Sequence, residues 1–329
     1  MSAASATLPL DALRAAALRS FARPLAPLLV GRELRVAVLA TASALLSLAL
    51  AWRCPHVLLV LSPLLLGVPH LVGDVRYLVL RPGLHRRPLL WAAVGLPLLL
   101  LTLPGTGVWP GLIAAAGALA VCRAGPQRKA AGLAVLAAVA AGAWMLGKAA
   151  GPVLAQLHNV LTLAVWWAWR PRHSRLHWIP LGLAAAGTAF LFLAPSGADS
   201  LDSFAGISFR RLAASLSPGA GYDVALSLAA VFAFTQALHY TAWVRLIPEE
   251  DRARPVPRSF RASLHALKTD FGAWPLSLCL ALALGIAVWG LMDAASARDG
   301  YFRLSLFHGH LELGALALLW AEGRFGQKP

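Results

Sequence analysis

The chain has 329 residues, of which 59% are hydrophobic and only 13% charged, and its formal net charge is +15. An ordinary soluble domain carries about 25% charged residues and could not bury so many long apolar runs, which excludes a soluble globular protein. The Lys and Arg residues lie in short segments between the apolar runs, as the basic flanks of membrane helices do, so the charge does not indicate nucleic-acid binding.

Residues 1–35 precede the first long apolar run and contain five arginines. Within residues 9–23, leucines alternate with arginines in a pattern typical of a helix that lies on the anionic inner leaflet of a membrane. A solvated basic tail would explain the same composition. In either case we expect a cytoplasmic N-terminal segment that lies outside the transmembrane domain.

Residues 36–323 are expected to form a single transmembrane helical domain, followed by a short cytoplasmic tail at residues 324–329. Apolar runs interrupted by Pro, Gly and Arg clusters predict about ten membrane helices, because about 20 residues cross the hydrocarbon core. These runs are 36–52, 57–80, 89–103, 108–123, 130–147, 153–169, 177–194, 222–245, 274–292 and 303–322.

Basic residues alternate between the segments that join these helices. The N-terminus, the C-terminus and every second connection hold most of the Lys and Arg residues. This alternation predicts an all-α polytopic protein with both termini in the cytoplasm, in a bacterial-type inner membrane. Two long connections, 195–221 outside and 246–272 inside, are each expected to contain a short surface helix.

Apart from His177 at the boundary of the seventh helix, histidines inside the predicted membrane segments occur on the second, sixth, eighth and tenth helices, which all run in the same direction. Ionisable residues are costly in hydrocarbon unless they have partners, so they indicate a functional site. The candidate metal ligands are His70, His158, His239 and His308. Counted from the predicted helix ends, their depths differ by about 10 Å, which leaves open one shared site or two.

Two of these histidines have a carboxylate four residues further along the same helix face. In the segment GVPHLVGDVR, His70 precedes Asp74, and in LFHGHLELG, His308 precedes Glu312. Such a carboxylate can bind the same metal or orient the imidazole. The alternatives are that Asp74 pairs with Arg76 or caps the inner end of its helix, and that the second pair is a polar cluster at a helix entrance.

Two further residues complete the predicted site. Gln236 shares a helix face with His239, and Tyr240 is adjacent to it. We expect Asp74, Glu312 and Tyr240 to serve catalysis. His310 lies about 200° around the helix from His308, so it is expected to face away from the site, towards the outer interface of the membrane.

The G-x-P-H-x-x-x-D string formed by Gly67, Pro69, His70 and Asp74 resembles a motif of the Brp/Blh family of membrane β-carotene dioxygenases. The resemblance implies a polytopic protein in which histidines from several helices hold a non-haem iron and O₂ cleaves a polyene. The family is associated with an HxxxH pair on one helix, whereas this sequence has a lone His239 and then the run from His308 to His310.

Three functions remain open from the sequence. The first is a membrane iron-dependent oxygenase that holds Fe(II) and acts on a lipid or isoprenoid substrate taken from the membrane lipids. The second is a b-type haem protein with axial histidines, and the third is a proton-coupled transporter. The sequence predicts no nucleic-acid partner and indicates no particular protein partner.

Overall fold

The described part of the protein is all-α except for one short β-hairpin. The structure, a computed structural model, describes residues 3–20, 27–28, 31–103, 105–194 and 203–324. The helices are α1 (Ala3–Ser20), α2 (Arg32–Arg53), α3 (Pro55–Asp74), α4 (Pro88–Leu100), α5 (Trp109–Val121), α6 (Pro126–Leu146), α7 (Ala150–Ala168), α8 (Trp178–Leu193), α9 (Phe209–Leu216), α10 (Tyr222–Thr241), α11 (Phe260–Phe271), α12 (Ala273–Met292) and α13 (Ala294–Ala321). Strands β1 (Ser203–Phe204) and β2 (Ile207–Ser208) pair antiparallel before α9. The predicted all-α fold is confirmed.

Within the described residues, seven helical stretches are long and apolar enough to cross a membrane. They contain α2, α3, the pair α6 and α7, α8, α10, α12 and α13. Helices α4 and α5 are apolar but shorter. At Gly147 the backbone has a φ of 53°, which a right-handed helix cannot contain, so α6 ends and α7 begins on its far side. Each of the ten predicted apolar runs falls on a helix.

Helix α13 begins nine residues earlier than the predicted tenth membrane helix. Asp293 caps its first turn, because its carboxylate accepts hydrogen bonds from the backbone N–H of Ser296 (3.0 Å) and from that residue's hydroxyl (2.6 Å). Arg298 therefore lies within a helix, although the sequence had suggested a connection, and Arg303 lies nine residues inside this helix instead of at its start. The earlier start also brings His308 further from the helix end than predicted.

Helix α10 lies at the centre of the helix bundle. Every residue from 229 to 240 is buried, as expected for a helix that is enclosed on all sides. It packs against α2, α3, α7, α8 and α9, while α13 packs against α3, α5 and α12 and also touches α7. The four helices that carry the predicted metal ligands are therefore neighbours.

Two π-helical turns follow directly after candidate site residues. One covers Val75–Leu80 at the end of α3, and the other covers Ala242–Leu246 at the end of α10. A π-helical turn inserts an extra residue into the turn, which rotates the residues on either side relative to each other. Such turns are frequent at functional sites.

Ion pairs gather at one end of the helices, which we call the arginine-rich end. Most of them join a predicted cytoplasmic arginine to a carboxylate distant in sequence, and such pairs connect different helices. They are Arg35 with Glu249, Arg76 with Asp270, Arg81 with Asp251, Arg87 with Glu322, and Arg172 with Glu250.

The N-terminal segment is helical over α1 and is attached to the connection between α10 and α12. The carboxylate of Asp11 accepts hydrogen bonds from the backbone N–H groups of Phe260 (2.7 Å) and Arg261 (3.1 Å), at the start of α11. Both long connections contain a helix, α9 and α11, as predicted. Residues 1–2, 21–26 and 29–30 of the predicted N-terminal segment and residues 325–329 of the predicted tail lie outside the described residues.

Candidate functional site

The four predicted histidines form one cluster inside the helices. Two of the rings, those of His70 and His239, are fully buried, and the other two are largely enclosed. The ring centroids are separated by 4.7 Å (His158–His239), 4.9 Å (His70–His308), 4.9 Å (His158–His308), 5.2 Å (His70–His239) and 5.8 Å (His239–His308). The depth difference of about 10 Å expected from the sequence was wrong. It was counted from predicted helix ends, and α13 begins nine residues earlier.

Three of the imidazoles are oriented by the backbone of their own helix. In each of them Nδ1 lies against a carbonyl oxygen three or four residues earlier, and because a carbonyl only accepts, Nδ1 must carry the proton. The pairs are His70 with Leu66 (3.2 Å), His158 with Ala155 (2.6 Å), and His308 with Ser305. Each Nε2 is left with a free lone pair, which is the tautomer that a metal-binding histidine adopts.

The fourth ring is oriented by a hydroxyl. Thr162 Oγ1 lies 2.8 Å from Nδ1 of His239, 2.9 Å from Oε2 of Glu312 and 3.1 Å from the carbonyl oxygen of His158. The last two atoms only accept, so the single hydroxyl proton is donated to one of them and Nδ1 of His239 donates to the hydroxyl. His239 therefore also directs an unprotonated Nε2 into the cluster, where that atom has no hydrogen-bond partner among the described residues.

The Nε2 atoms of His158 and His308 lie 3.1 Å apart. Since both rings carry their proton on Nδ1, two lone pairs face each other and no hydrogen bond joins them. Two nitrogens that bind one ion at about 2.0–2.1 Å would be separated by about 2.8–3.4 Å at octahedral or tetrahedral angles. The observed distance fits two ligands of a shared cation.

Glu312 is fully buried beside this cluster. Its Oε1 accepts a hydrogen bond from Nε1 of Trp243 (2.9 Å) and lies 3.7 Å from Nε2 of His239. Its Oε2 accepts from Thr162. The carboxylate is therefore held in one orientation at the edge of the imidazole cluster. The alternative that this pair forms a polar cluster at a helix entrance is wrong.

Asp74 is the least satisfied group of the site. It is fully buried, and neither carboxylate oxygen has a hydrogen-bond partner among the described residues. The alternative that it pairs with Arg76 is wrong, because Nε of Arg76 donates to Asp270 instead (2.7 Å). A buried carboxylate without a partner costs several kcal/mol, and a nearby cation removes that cost.

Ligand atoms of these residues form two overlapping groups, and within each group all of them lie within 4.8 Å of one another. The first contains His158, His239, His308 and Glu312, and the second contains His70, Asp74 and His308. His308 belongs to both but has a single free nitrogen. A divalent ion held by neutral imidazoles together with the carboxylates of Asp74 and Glu312 would be electrically neutral as a unit. The donor set therefore fits a divalent metal.

Tyr240 lies against the cluster, as its position next to His239 suggested. Its ring centroid is 4.3 Å from that of His70, and its hydroxyl accepts a hydrogen bond from Nε2 of Gln236 (3.2 Å). The side chains of Tyr240 and Gln236 line a cavity that also reaches His158 and His308. The phenol is thus close enough to contact a molecule bound beside the imidazoles.

His310 does not join the cluster. It packs against Gly111 of α5, where a Cβ atom would lie only 1.8 Å from its ring. It faces a neighbouring helix rather than the outer interface suggested by the sequence. His56 and His177 are buried as well, but they contact the aromatic residues Phe204, Phe209 and Trp166 away from the cluster.

Sequence reasoning missed Trp243, which orients Glu312. The available signal was its spacing, because Trp243 lies four residues after His239 and so shares its helix face. A Trp near the end of an apolar run is otherwise interpreted as an interfacial residue.

Comparison with protein-family models, with curated proteins and with solved structures gives no match.

Proposed function

We propose that this protein is a membrane-embedded metalloenzyme, a non-haem iron oxygenase that acts on a lipophilic substrate. The observation that supports it best is the packing of the four imidazole rings against one another, with each Nδ1 engaged in a hydrogen bond so that each Nε2 is left unprotonated. A ferrous ion bound there would supply the activation of O₂, because imidazoles and carboxylates suit Fe(II) with open positions.

The protein's own residues would hold and shield the reacting molecule. The cluster adjoins a largely apolar cavity of about 1310 Å³, whose lining includes His158, His239 and His308. Apolar walls exclude water and orient a hydrocarbon chain, and Tyr240 offers a hydroxyl beside His70. A site at this depth admits a substrate from the bilayer without passage through water.

The proposal includes ten membrane crossings with both termini in the cytoplasm of a bacterial-type cell. Two features support this count: α4 and α5 are a pair of short apolar helices, and Gly147 divides a 43-residue apolar stretch into α6 and α7. The orientation is supported by the arginine-rich end, where arginines of several predicted cytoplasmic segments meet.

The geometry favours this function over a b-type haem protein. Two axial imidazoles on opposite sides of a haem iron would place their Nε2 atoms about 4 Å apart, with a flat space for the macrocycle between them. Here His158 and His308 are closer, at 3.1 Å, and two further imidazoles occupy the surrounding space. A proton-coupled transporter would use the same buried groups without needing convergent lone pairs.

Elemental analysis and an absorption spectrum of the detergent-purified protein test the proposal. We expect about one iron per chain, no Soret band near 400–430 nm, and loss of the iron in His70→Ala. The matched control is His177→Ala, which removes another fully buried imidazole outside the cluster and should retain the iron. A Soret band would indicate haem instead. Absence of metal from both the wild type and the control would contradict the proposal and favour transport.

A further inference from the structure

The cavity beside the histidine cluster opens towards lipid. Three apolar residues on its wall are strongly exposed: Leu157 (56%) and Val160 (49%) on α7, and Leu306 (52%) on α13. In a membrane, exposed apolar side chains of two neighbouring helices face acyl chains. The part of the cavity wall formed by these exposed side chains of α7 and α13 would serve as a lateral entrance for a molecule with a hydrocarbon chain.

The same cavity is also lined by positively charged side chains. Lys148, Arg298 and Arg303 line it, whereas its described lining residues include no Asp or Glu. Arg298 is already engaged, because its guanidinium donates to the carbonyl oxygen of Leu59 (3.1 Å) and to Asp299 (3.0 Å). Lys148 and Arg303 are exposed, and among the described residues neither has an acidic partner.

We propose that the cavity binds a single-chain amphiphile with an anionic head group, drawn from the bilayer. The head group would lie against Lys148 and Arg303, and the chain would extend along the apolar wall towards His158 and His308. Charge complementarity carries this assignment, because a wholly apolar ligand would leave both cations without a counter-charge. A positively charged head group would be repelled.

The helix geometry limits how far the head group lies from the cluster. Arg303 precedes His308 by five residues and Lys148 precedes His158 by ten, which corresponds to roughly 8 and 15 Å along the helices. An extended chain covers about 1.2 Å per bond. The part of the ligand nearest the imidazoles would therefore be about 6 to 12 bonds from the head group. This position rests on the proposed function, because it takes the histidine cluster as the reactive centre.

Binding of oleate and of oleyl alcohol to the purified full-length protein in a neutral detergent tests the inference. The two probes share one chain and differ in the head group. We expect the wild type to prefer oleate, and Lys148→Ala/Arg303→Ala to lose about tenfold in oleate affinity with little change for the alcohol, as two partly exposed ion pairs imply. Arg53→Ala/Arg211→Ala, which removes two exposed arginines that do not line the cavity, is the matched control.

A charge-reversed variant tests the same point in the opposite direction. Lys148→Glu/Arg303→Glu should prefer oleylamine over oleate. A second variant, Leu306→Trp, narrows the lateral entrance at an exposed position and should weaken both probes together. Equal wild-type affinity for oleate and oleyl alcohol, or the same preference in the alanine variant as in the control, would overturn the inference.

The outcome can be separated from that of the proposed function. The same titrations after treatment with a chelator, and in His70→Ala, measure head-group preference without metal. If the protein prefers oleate but never binds metal, the inference of an anionic amphiphile is supported and the proposed oxygenase function is contradicted. If the iron-loaded protein binds oleate and oleyl alcohol equally well, the inference is overturned while the proposed oxygenase function stands.

Discussion

His158 and His308 direct unprotonated nitrogens at each other across 3.1 Å, on helices whose sequences are 150 residues apart. Each ring is fixed by a hydrogen bond to a carbonyl oxygen of its own helix. Neither ring can turn its Nδ1–H towards the other ring without losing the hydrogen bond to its own carbonyl oxygen. Such an arrangement is unfavourable unless a cation lies between the rings, and the unpartnered carboxylate of Asp74 has the same requirement.

Replacement of Asp74 should therefore have opposite effects on the metal-free and metal-loaded protein. Asp74→Asn removes a buried carboxyl group that has no cation when the metal is absent, so chelator-treated protein should gain about 1 kcal/mol or more of stability. With metal present, the variant should bind it more weakly. Thermal unfolding in detergent with and without chelator measures both effects. A loss of stability in both states would mean that Asp74 has a structural role only.

Thr162 is a positioning residue, since its hydroxyl joins His239 to Glu312. Thr162→Val keeps the shape of the side chain but removes the hydroxyl, and we expect metal affinity to fall about 10- to 100-fold, as for other residues that orient metal ligands. Thr162→Ser should retain the affinity. Competition with a calibrated chelator measures it. Equal affinities of the valine and serine variants would contradict the assignment.

Gly67 permits a close approach between α3 and α13. A Cβ atom at this position would lie 2.4 Å from the ring of Tyr301, which is itself buried. Gly67→Ala should therefore destabilise the protein by about 1–3 kcal/mol and disturb the neighbouring cluster. Gly285→Ala on α12, where nothing lies within 4 Å, is the control and should cause no loss. Thermal unfolding together with metal content provides the comparison.

Glu322 should make the arginine-rich end sensitive to acid. Burial by itself would raise the pKa of Glu322, but hydrogen bonds from Arg87, from the backbone N–H of Arg123 and from Arg324 outweigh it and lower the pKa to about 2. The stability that this provides is complete above the ordinary pKa of 4.5 and is lost as the pH falls towards 2. Glu322→Gln should remove this step from the unfolding temperature measured against pH, and Arg87→Met should reduce it, because the Arg123 N–H and Arg324 still bind the carboxylate. A step that persists unchanged in both variants would show that another group causes it.

Much of the architecture follows from the sequence. Runs of apolar residues and the Pro, Gly and Arg clusters between them predicted segments that all fall on helices, because the energetic cost of unpaired backbone groups in hydrocarbon leaves few alternatives. Helical spacing alone indicated that His70 shares a face with Asp74 and that His310 faces away from His308. The start of α13 was missed, since a capping aspartate outside an apolar run gives a weak signal.

Only the tertiary structure decided which faces meet and at what depth. Helical periodicity fixes the direction of a side chain relative to its own helix, but the rotation and axial offset of each helix depend on packing between segments far apart in sequence. This packing brings Trp243 to Glu312 and Thr162 to His239, and it gathers Lys148 and Arg303 at one cavity. The sequence by itself determined the helices and their polar residues, while the contacts between helices decided that these residues form one site.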